Sequence, residues 1–126
     1  MAFSKVLGAC ALLVILATGT AARADPWNIV VINSTGKTIY KIQIAPAATT
    51  SWTSATLAAM NGAPAAQVPN GDRVEAHFDR PDSICRYDLK TSFTDQSTAT
   101  FSGVNVCDNS YVTLKFSNGK AVFVTN

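Results

Sequence analysis

Histidine is scarce in this 126-residue chain, and two well-known catalytic motifs are missing. His77 is the only histidine, and no G-x-S-x-G nucleophile elbow accompanies it. Gly36-Lys37-Thr38 resembles the end of a P-loop, but Val31 stands where the first glycine of that motif is required. These absences argue against a hydrolase of the α/β type and against a P-loop nucleotide-binding protein.

The sequence also lacks an apolar run long enough to span a membrane. The run over residues 6–17 has about a dozen residues, whereas a membrane-spanning helix needs about 20. Lys5 precedes this run, and Ala22-Arg23-Ala24 has the form of a cleavage site. We therefore expect a secretory signal peptide over residues 1–24, cleavage between Ala24 and Asp25, and a periplasmic or secreted mature chain with no membrane span. Cys10 precedes most of the apolar run, which argues against a lipid anchor.

An excess of charge of one sign is absent from the predicted mature chain. The full sequence has 10 Lys and Arg against 8 Asp and Glu, but Lys5 and Arg23 belong to the predicted signal peptide. The remaining charges balance and are dispersed along the chain. Such a chain has no electrostatic footprint for nucleic acid or for anionic lipid, so we expect neither as a partner.

Two cysteines, Cys85 and Cys107, remain after the predicted cleavage. An even pair in an oxidising compartment is typical of a disulfide. If residues 84–93 and 98–107 pair as a hairpin around Asp95-Gln96, the two cysteines face each other at its open end, close enough to be joined. We therefore predict a Cys85–Cys107 disulfide.

Apolar residues alternate with polar ones through most of the mature chain, which predicts β-strands. Residues 45–70 are the exception: they are rich in Ala, Thr, Ser and Pro, and predict either a turn or two of helix around 54–60 or a long surface loop pinned by Trp52. We expect a single all-β domain over residues 25–126, an antiparallel β-sandwich (Ig-like or jelly-roll-like) of about seven or eight short strands with one disulfide. The first two predicted strands would form a hairpin, and Gly103 would mark a bulge or a close approach of another backbone segment. The predicted strands cover residues 27–33, 38–44, 73–79, 84–93, 98–107, 111–117 and 120–125.

Several short motifs follow one another along the mature chain: Asn33, Thr35, Gly36, Ile39, Trp52, Leu57, Asn70, Gly71, Phe78–Arg80, Cys85–Lys90, Gly103–Cys107 and Leu114. Their order resembles a family of small secreted proteobacterial proteins, and the resemblance covers nearly all of the mature chain. Its most specific element is the block C-R-Y-D-L with a distant second cysteine. Thr53 stands where that family usually has a glycine after the tryptophan, and residues 61–66 look inserted. The resemblance implies the fold and an extracytoplasmic location, and it implies no biochemical role. Some such proteins are labelled argininosuccinate lyase, which we discount because that enzyme is a large helical tetramer.

Glu75, His77 and Asp79 form the strongest candidate for metal binding or catalysis. They alternate along one face of a predicted strand, where they could ligate Zn²⁺ or pair a general base with a carboxylate. The competing interpretation, which we favour, is the exposed polar face of an amphipathic strand. Trp52 is a candidate recognition residue: it either caps the sandwich or lines a groove.

Taken together, the sequence favours a non-enzymatic secreted or periplasmic β-sandwich module without a cofactor. It would act by binding an unknown protein or small-molecule ligand, or as an envelope component, with residues 45–70 as its recognition surface. Two alternatives stay open: a metal-dependent or hydrolytic enzyme centred on His77, and a small secreted inhibitor of another enzyme.

Overall fold

The computed structural model of the protein describes residues 25–81 and 83–126. The predicted signal peptide, residues 1–24, lies outside the described residues. Nine strands are present in the described chain: β1 Asp25–Ser34, β2 Ile39–Pro46, β3 Thr53–Ser54, β4 Thr56–Ala58, β5 Arg73–Arg80, β6 Arg86–Phe93, β7 Thr98–Asn105, β8 Tyr111–Ser117 and β9 Lys120–Thr125. No helix in these two ranges has the length and apolar character that a membrane crossing requires.

The strands form two sheets around one core, which confirms the predicted all-β sandwich. The five-stranded sheet has the order β4-β5-β1-β8-β9, and the four-stranded sheet has the order β3-β2-β6-β7. Alternate side chains turn inward, as the period of two predicted. In β5, for example, Val74, Ala76 and Phe78 are buried while Arg73 and His77 are exposed. The inward residues of both sheets join in a single apolar cluster.

Two details of the predicted sandwich are wrong. Strands β1 and β2 do not form a hairpin, since they lie in different sheets. In addition, β1 pairs with β8 in parallel, although the other strand pairs in the described chain are antiparallel. Because β1 has β5 on one side and β8 on the other, neither of its edges is available to β2.

The turn between β1 and β2 crosses from one sheet to the other around a buried asparagine. Asn33 Nδ2 donates to the carbonyls of Lys37 and Val68, at 2.7 Å each. Its Oδ1 accepts the backbone N–H and the hydroxyl of Thr35. Asn33 thus makes four hydrogen bonds that join the turn to the segment before β5, as a buried polar side chain requires. A turn does follow β1, but it connects the two sheets instead of closing the predicted hairpin.

The predicted disulfide is present. Cys85 and Cys107 are bonded, with Cα atoms 5.2 Å apart, at the open end of the β6–β7 hairpin. Arg86 pairs with Asn105, one residue away from a register in which Cys85 stands directly opposite Cys107. The register then shifts by one residue between Tyr87 and Leu89, and Gly103 has a φ of +79° opposite this shift. The predicted bulge at Gly103 is therefore confirmed.

Trp27 and Arg80 pack beside the disulfide and tie the start of β1 to the end of β7. The Trp27 indole N–H donates to the carbonyl of Val106 at 3.0 Å. The Arg80 guanidinium stacks 4.0 Å from the Trp27 ring and donates to the carbonyl of Ile84 at 2.8 Å. These contacts give the buried arginine hydrogen-bond acceptors and an aromatic face.

Lys37 covers the other end of the sandwich. Its ammonium lies over the rings of Phe93 and Phe116, at 5.3 Å and 5.7 Å from their centroids, and 3.0 Å from an Asp95 carboxylate oxygen. The Asp95 carboxylate also accepts the hydroxyl and the backbone N–H of Ser97. The hydrogen bonds from Ser97, joined by Lys37, lower the pKa of Asp95 to about 2.

Candidate binding cleft

A surface cleft of about 280 Å³ opens where the two short strands β3 and β4 meet β5. Within the described chain it combines side chains from the edges of both sheets. Three of its lining residues carry hydroxyl groups, one carries an imidazole and one a carboxylate. The lining residues are Thr53, Ser54, Thr56, His77, Phe78 and Asp79.

The cleft exists because the chain passes from one sheet to the other at Ala55. Strand β3 pairs with β2, whereas β4 pairs with β5. The Ala55 N–H donates to a β2 carbonyl at 2.9 Å, which fixes the crossing point. Pairing between β4 and β5 begins at Thr56 opposite His77, so residues 78–79 extend beyond the end of β4. The gap beside this overhang is the cleft.

Residues 45–70 do not form the helix considered around 54–60; apart from the end of β2, the strands β3 and β4 and two isolated bridges, they follow the irregular surface path that was the other alternative. The region around 54–60 contains the two short strands rather than a helix. The β-branched residues Thr53 and Thr56 fit a strand better than a helix. These strands also pin the segment at both sheet edges, and Ala58 bridges to Pro64 further along. The hydroxyl lining was missed because two threonines in a stretch poor in large apolar residues gave no periodic signal.

The start of this segment is fixed by a buried carboxylate. Asp88, on β6, accepts the N–H of Ala48 at 3.1 Å and the N–H of Gly103 at 2.9 Å. Ala48 has a φ of +65°, a conformation that is unfavourable for alanine. A single side chain thus holds both the departure of the segment from β2 and the β7 bulge.

The structure separates the three candidate metal or catalytic residues. All three lie on the outer face of β5, as predicted, but only His77 and Asp79 line the cleft. Glu75 stands opposite Ala58 and Val30, outside the cleft lining. In residues 25–81 and 83–126, no group of three or more His, Cys, Asp or Glu side chains is placed to hold a metal ion.

His77 is exposed at the rim of the cleft. It pairs across the sheet with Thr56 on one side and Asn28 on the other. Its imidazole makes no hydrogen bond or ion pair with another described residue. The hydrogen-bonded chain of nucleophile, base and carboxylate found in a catalytic triad is therefore not assembled among these side chains. Both ring nitrogens are open to a ligand.

Trp52 lies beside the cleft and outside the core cluster. Its ring is half-buried, and the Lys90 ammonium sits 4.8 Å from the ring centroid. Lys90 belongs to a cross-strand row on the outer face of the four-stranded sheet, together with Gln43 and Ser54. Trp52 thus covers part of that outer face, next to Thr53. A ligand stacking on the covered ring face would have to displace Lys90 from its cation–π contact.

No family model matches the chain, and no curated protein matches it either. The NMR structure of a protein from Eubacterium rectale is similar in fold, with a TM-score of 0.52 and 13% sequence identity. The match covers 85% of this chain and 94% of that chain. At this identity the likeness shows a shared fold, and nothing about the chemistry of the cleft can be inferred from it.

Proposed function

We propose that the protein is exported to the periplasm or secreted, and that it acts there without catalysis by binding a small polar ligand or a polar segment of a partner protein. The observation that carries this proposal is the cleft between β3, β4 and β5. A concave site with a few convergent polar groups is the usual form of a binding site. Half of its lining comes from residues 45–70, which agrees with the general role of irregular segments on rigid scaffolds, and the other half comes from β5.

The side chains that line the cleft indicate which chemical class of ligand it would bind. Hydroxyl groups both donate and accept hydrogen bonds, as do the two nitrogens of a neutral imidazole between them. Asp79 is the one carboxylate in the lining, and Glu75 lies two strand positions before His77 on the same face of β5. Because these two carboxylates lie close to hydrogen-bond donors and acceptors, the site favours a neutral or cationic ligand over an anion. We therefore expect a hydroxyl-rich or amine-bearing ligand.

Binding can be tested with simple probes: a diamine, a polyol and an N-acetylated amino sugar. We expect at least one of them to shift the backbone NMR signals of residues 53–56 and 77–79 in a saturable way. His77→Ala and Asp79→Asn should weaken that effect, whereas Thr100→Ala, on the distant strand β7, should leave it unchanged. The proposal fails if no probe shifts these signals, or if the shifts are equal in all three variants.

Export is tested separately by the intact mass of the protein harvested from the periplasm or the medium. We expect a chain that begins at Asp25 and is lighter by the two thiol hydrogens that the disulfide removes. A product that keeps residues 1–24, or that stays in the cytoplasm, would contradict export.

An enzyme centred on His77 is a second candidate, favoured by one observation: His77 and Asp79 share the cleft with three hydroxyl groups. The test is hydrolysis of simple p-nitrophenyl esters. Activity that is lost in His77→Ala and kept in Thr100→Ala would show that the protein is an enzyme and would contradict the proposed binding function. Stoichiometric zinc in the purified protein, lost in the same variant, would do so too. If neither is observed, these tests leave binding as the function to pursue.

A further inference from the structure

Strand β9 forms a sheet edge unlike the other three edges of the sandwich. Exposed edges invite pairing with other chains, and proteins usually protect them by short strands, bulges, prolines or charges. The edge strands β3 and β4 have only two and three residues. Strand β7 is interrupted by the Gly103 bulge. Strand β9 has six residues, with no bulge and no proline, and its one charged residue, Lys120, stands at its start.

The backbone of β9 presents a regular row of unpaired groups. Tyr111 and Asn126 exchange both of their backbone hydrogen bonds, at 3.0 Å each. Hydrogen-bonded pairs alternate along an antiparallel ladder, so the N–H and C=O groups of Ala121, Phe123 and Thr125 point away from β8. Within the described residues these groups have no hydrogen-bond partner.

The side chains along this edge are apolar on both faces of the sheet. Val124 is 52% exposed on the outer face, and Val122 is half-buried beside it. Ala121 and Phe123 are half-buried on the inner face, at the margin of the core. Exposed apolar side chains next to unpaired backbone groups are the properties of an edge that another strand covers.

We infer that the occupant is the same strand of a second copy, paired antiparallel about a two-fold axis at Phe123. In this register Ala121 faces Thr125 of the other copy, and Phe123 faces its own equivalent. All the unpaired groups of β9 in both copies then form hydrogen bonds, six in total by the antiparallel pattern. On the outer face Val122 lies opposite Val124 in both directions, in the closely spaced pairs that favour β-branched contacts.

The charges along β9 allow this arrangement. Lys120 of one copy lies opposite Asn126 of the other, so no like charges are placed opposite each other across the interface. The two Phe123 rings meet across the axis as a cross-strand aromatic pair, which adds to the apolar contact. The same patch serves both subunits, as the commonest form of symmetric dimer requires.

The test measures the mass in solution of the protein expressed from the full-length chain and harvested without reductant. We expect a concentration-dependent dimer. Val124→Lys removes two apolar cross-strand pairs per dimer and should weaken it about tenfold. The matched control is Met60→Lys, which replaces an equally exposed apolar side chain just after β4, at the opposite edge of the same sheet, and should leave the dimer unchanged. Circular dichroism checks that both variants fold.

Hydrogen exchange gives a second, residue-specific measurement that does not depend on a variant. The amides of Ala121, Phe123 and Thr125 should be slowed at high protein concentration and exchange fast on dilution. The amides of Val122 and Val124 point toward β8, so dilution should change their exchange much less. A chain that stays monomeric up to about 1 mM, a dimer equally sensitive to Val124→Lys and Met60→Lys, or fast exchange at residues 121, 123 and 125 in the dimer would each overturn the inference.

Discussion

Removing the Cys85–Cys107 disulfide should destabilise the domain mainly through its unfolded state. The two cysteines are 22 residues apart. A disulfide that closes a loop of this length lowers the conformational entropy of the unfolded chain, and its removal costs about 3 kcal/mol of folding stability. Domains of this size have total stabilities of about 5–15 kcal/mol, so the loss is a large share. It corresponds to a fall in Tm of roughly 10–25 °C.

The native structure around the bridge should survive in the Cys85→Ala/Cys107→Ala variant. Neighbouring contacts do not depend on the sulfur atoms: the Val106 N–H donates to the carbonyl of Cys85 at 2.9 Å, and Trp27 donates to the carbonyl of Val106. Both cysteine side chains are half-buried and small. Replacing them by alanine therefore removes little packing.

Urea unfolding at equilibrium distinguishes an effect on the unfolded chain from a loss of packing in the native structure. We expect the double variant to unfold at lower urea with a steeper dependence on denaturant, because an unbridged chain exposes more surface when it unfolds. Wild-type protein with its disulfide reduced is the control and should behave in the same way. A double variant within about 1 kcal/mol of wild type would refute the entropic argument. A large loss with an unchanged slope would place the effect in native packing instead.

Two further predictions concern single side chains. Tyr87 is buried against Phe78, burial raises its pKa, and its hydroxyl has no hydrogen-bond partner in the described chain. Tyr87→Phe should therefore stabilise the protein by about 1 kcal/mol in urea unfolding. A loss of stability would show that the hydroxyl forms a hydrogen bond in solution. Asp95 has a folded pKa of about 2, below its ordinary value of 3.8, so its contribution to stability is present above about pH 4 and is lost as the pH falls toward 2. Between pH 5 and 2, Asp95→Asn and Ser97→Ala should therefore each lose less stability than wild type, and an unchanged pH profile in both would contradict this assignment.

Local sequence patterns predicted those strands whose buried face follows from the alternation of polar and apolar residues. Strand β8 over 111–117 and strand β9 over 120–125 match their predicted ranges, because alternation of polar and apolar residues reports which face is buried. The disulfide could be predicted because the two strands of its hairpin are adjacent in sequence, and the Gly103 bulge because glycine inside a strand pattern is typical of one.

The failed predictions depend on contacts that are distant in sequence. The alternation in β1 shows that Val31 turns inward, but it does not show whether β2 or β8 lies beside it. The buried Asn33 resembles an ordinary turn residue until its partner at Val68, 35 residues away, is known. The cleft was missed for the same reason, since His77 and Thr56 are brought together only by strand pairing across a crossing between sheets.

The carboxylate of Asp88 limits how the segment after β2 could be exchanged for another. This carboxylate accepts hydrogen bonds from the amides at positions 48 and 103 at the same time. A replacement segment that moves the amide at position 48 would therefore also destabilise the bulge in β7. Engineered replacements should therefore keep the chain through residue 48 and vary only residues beyond it. Within that boundary the scaffold offers a fixed point of departure for new binding loops.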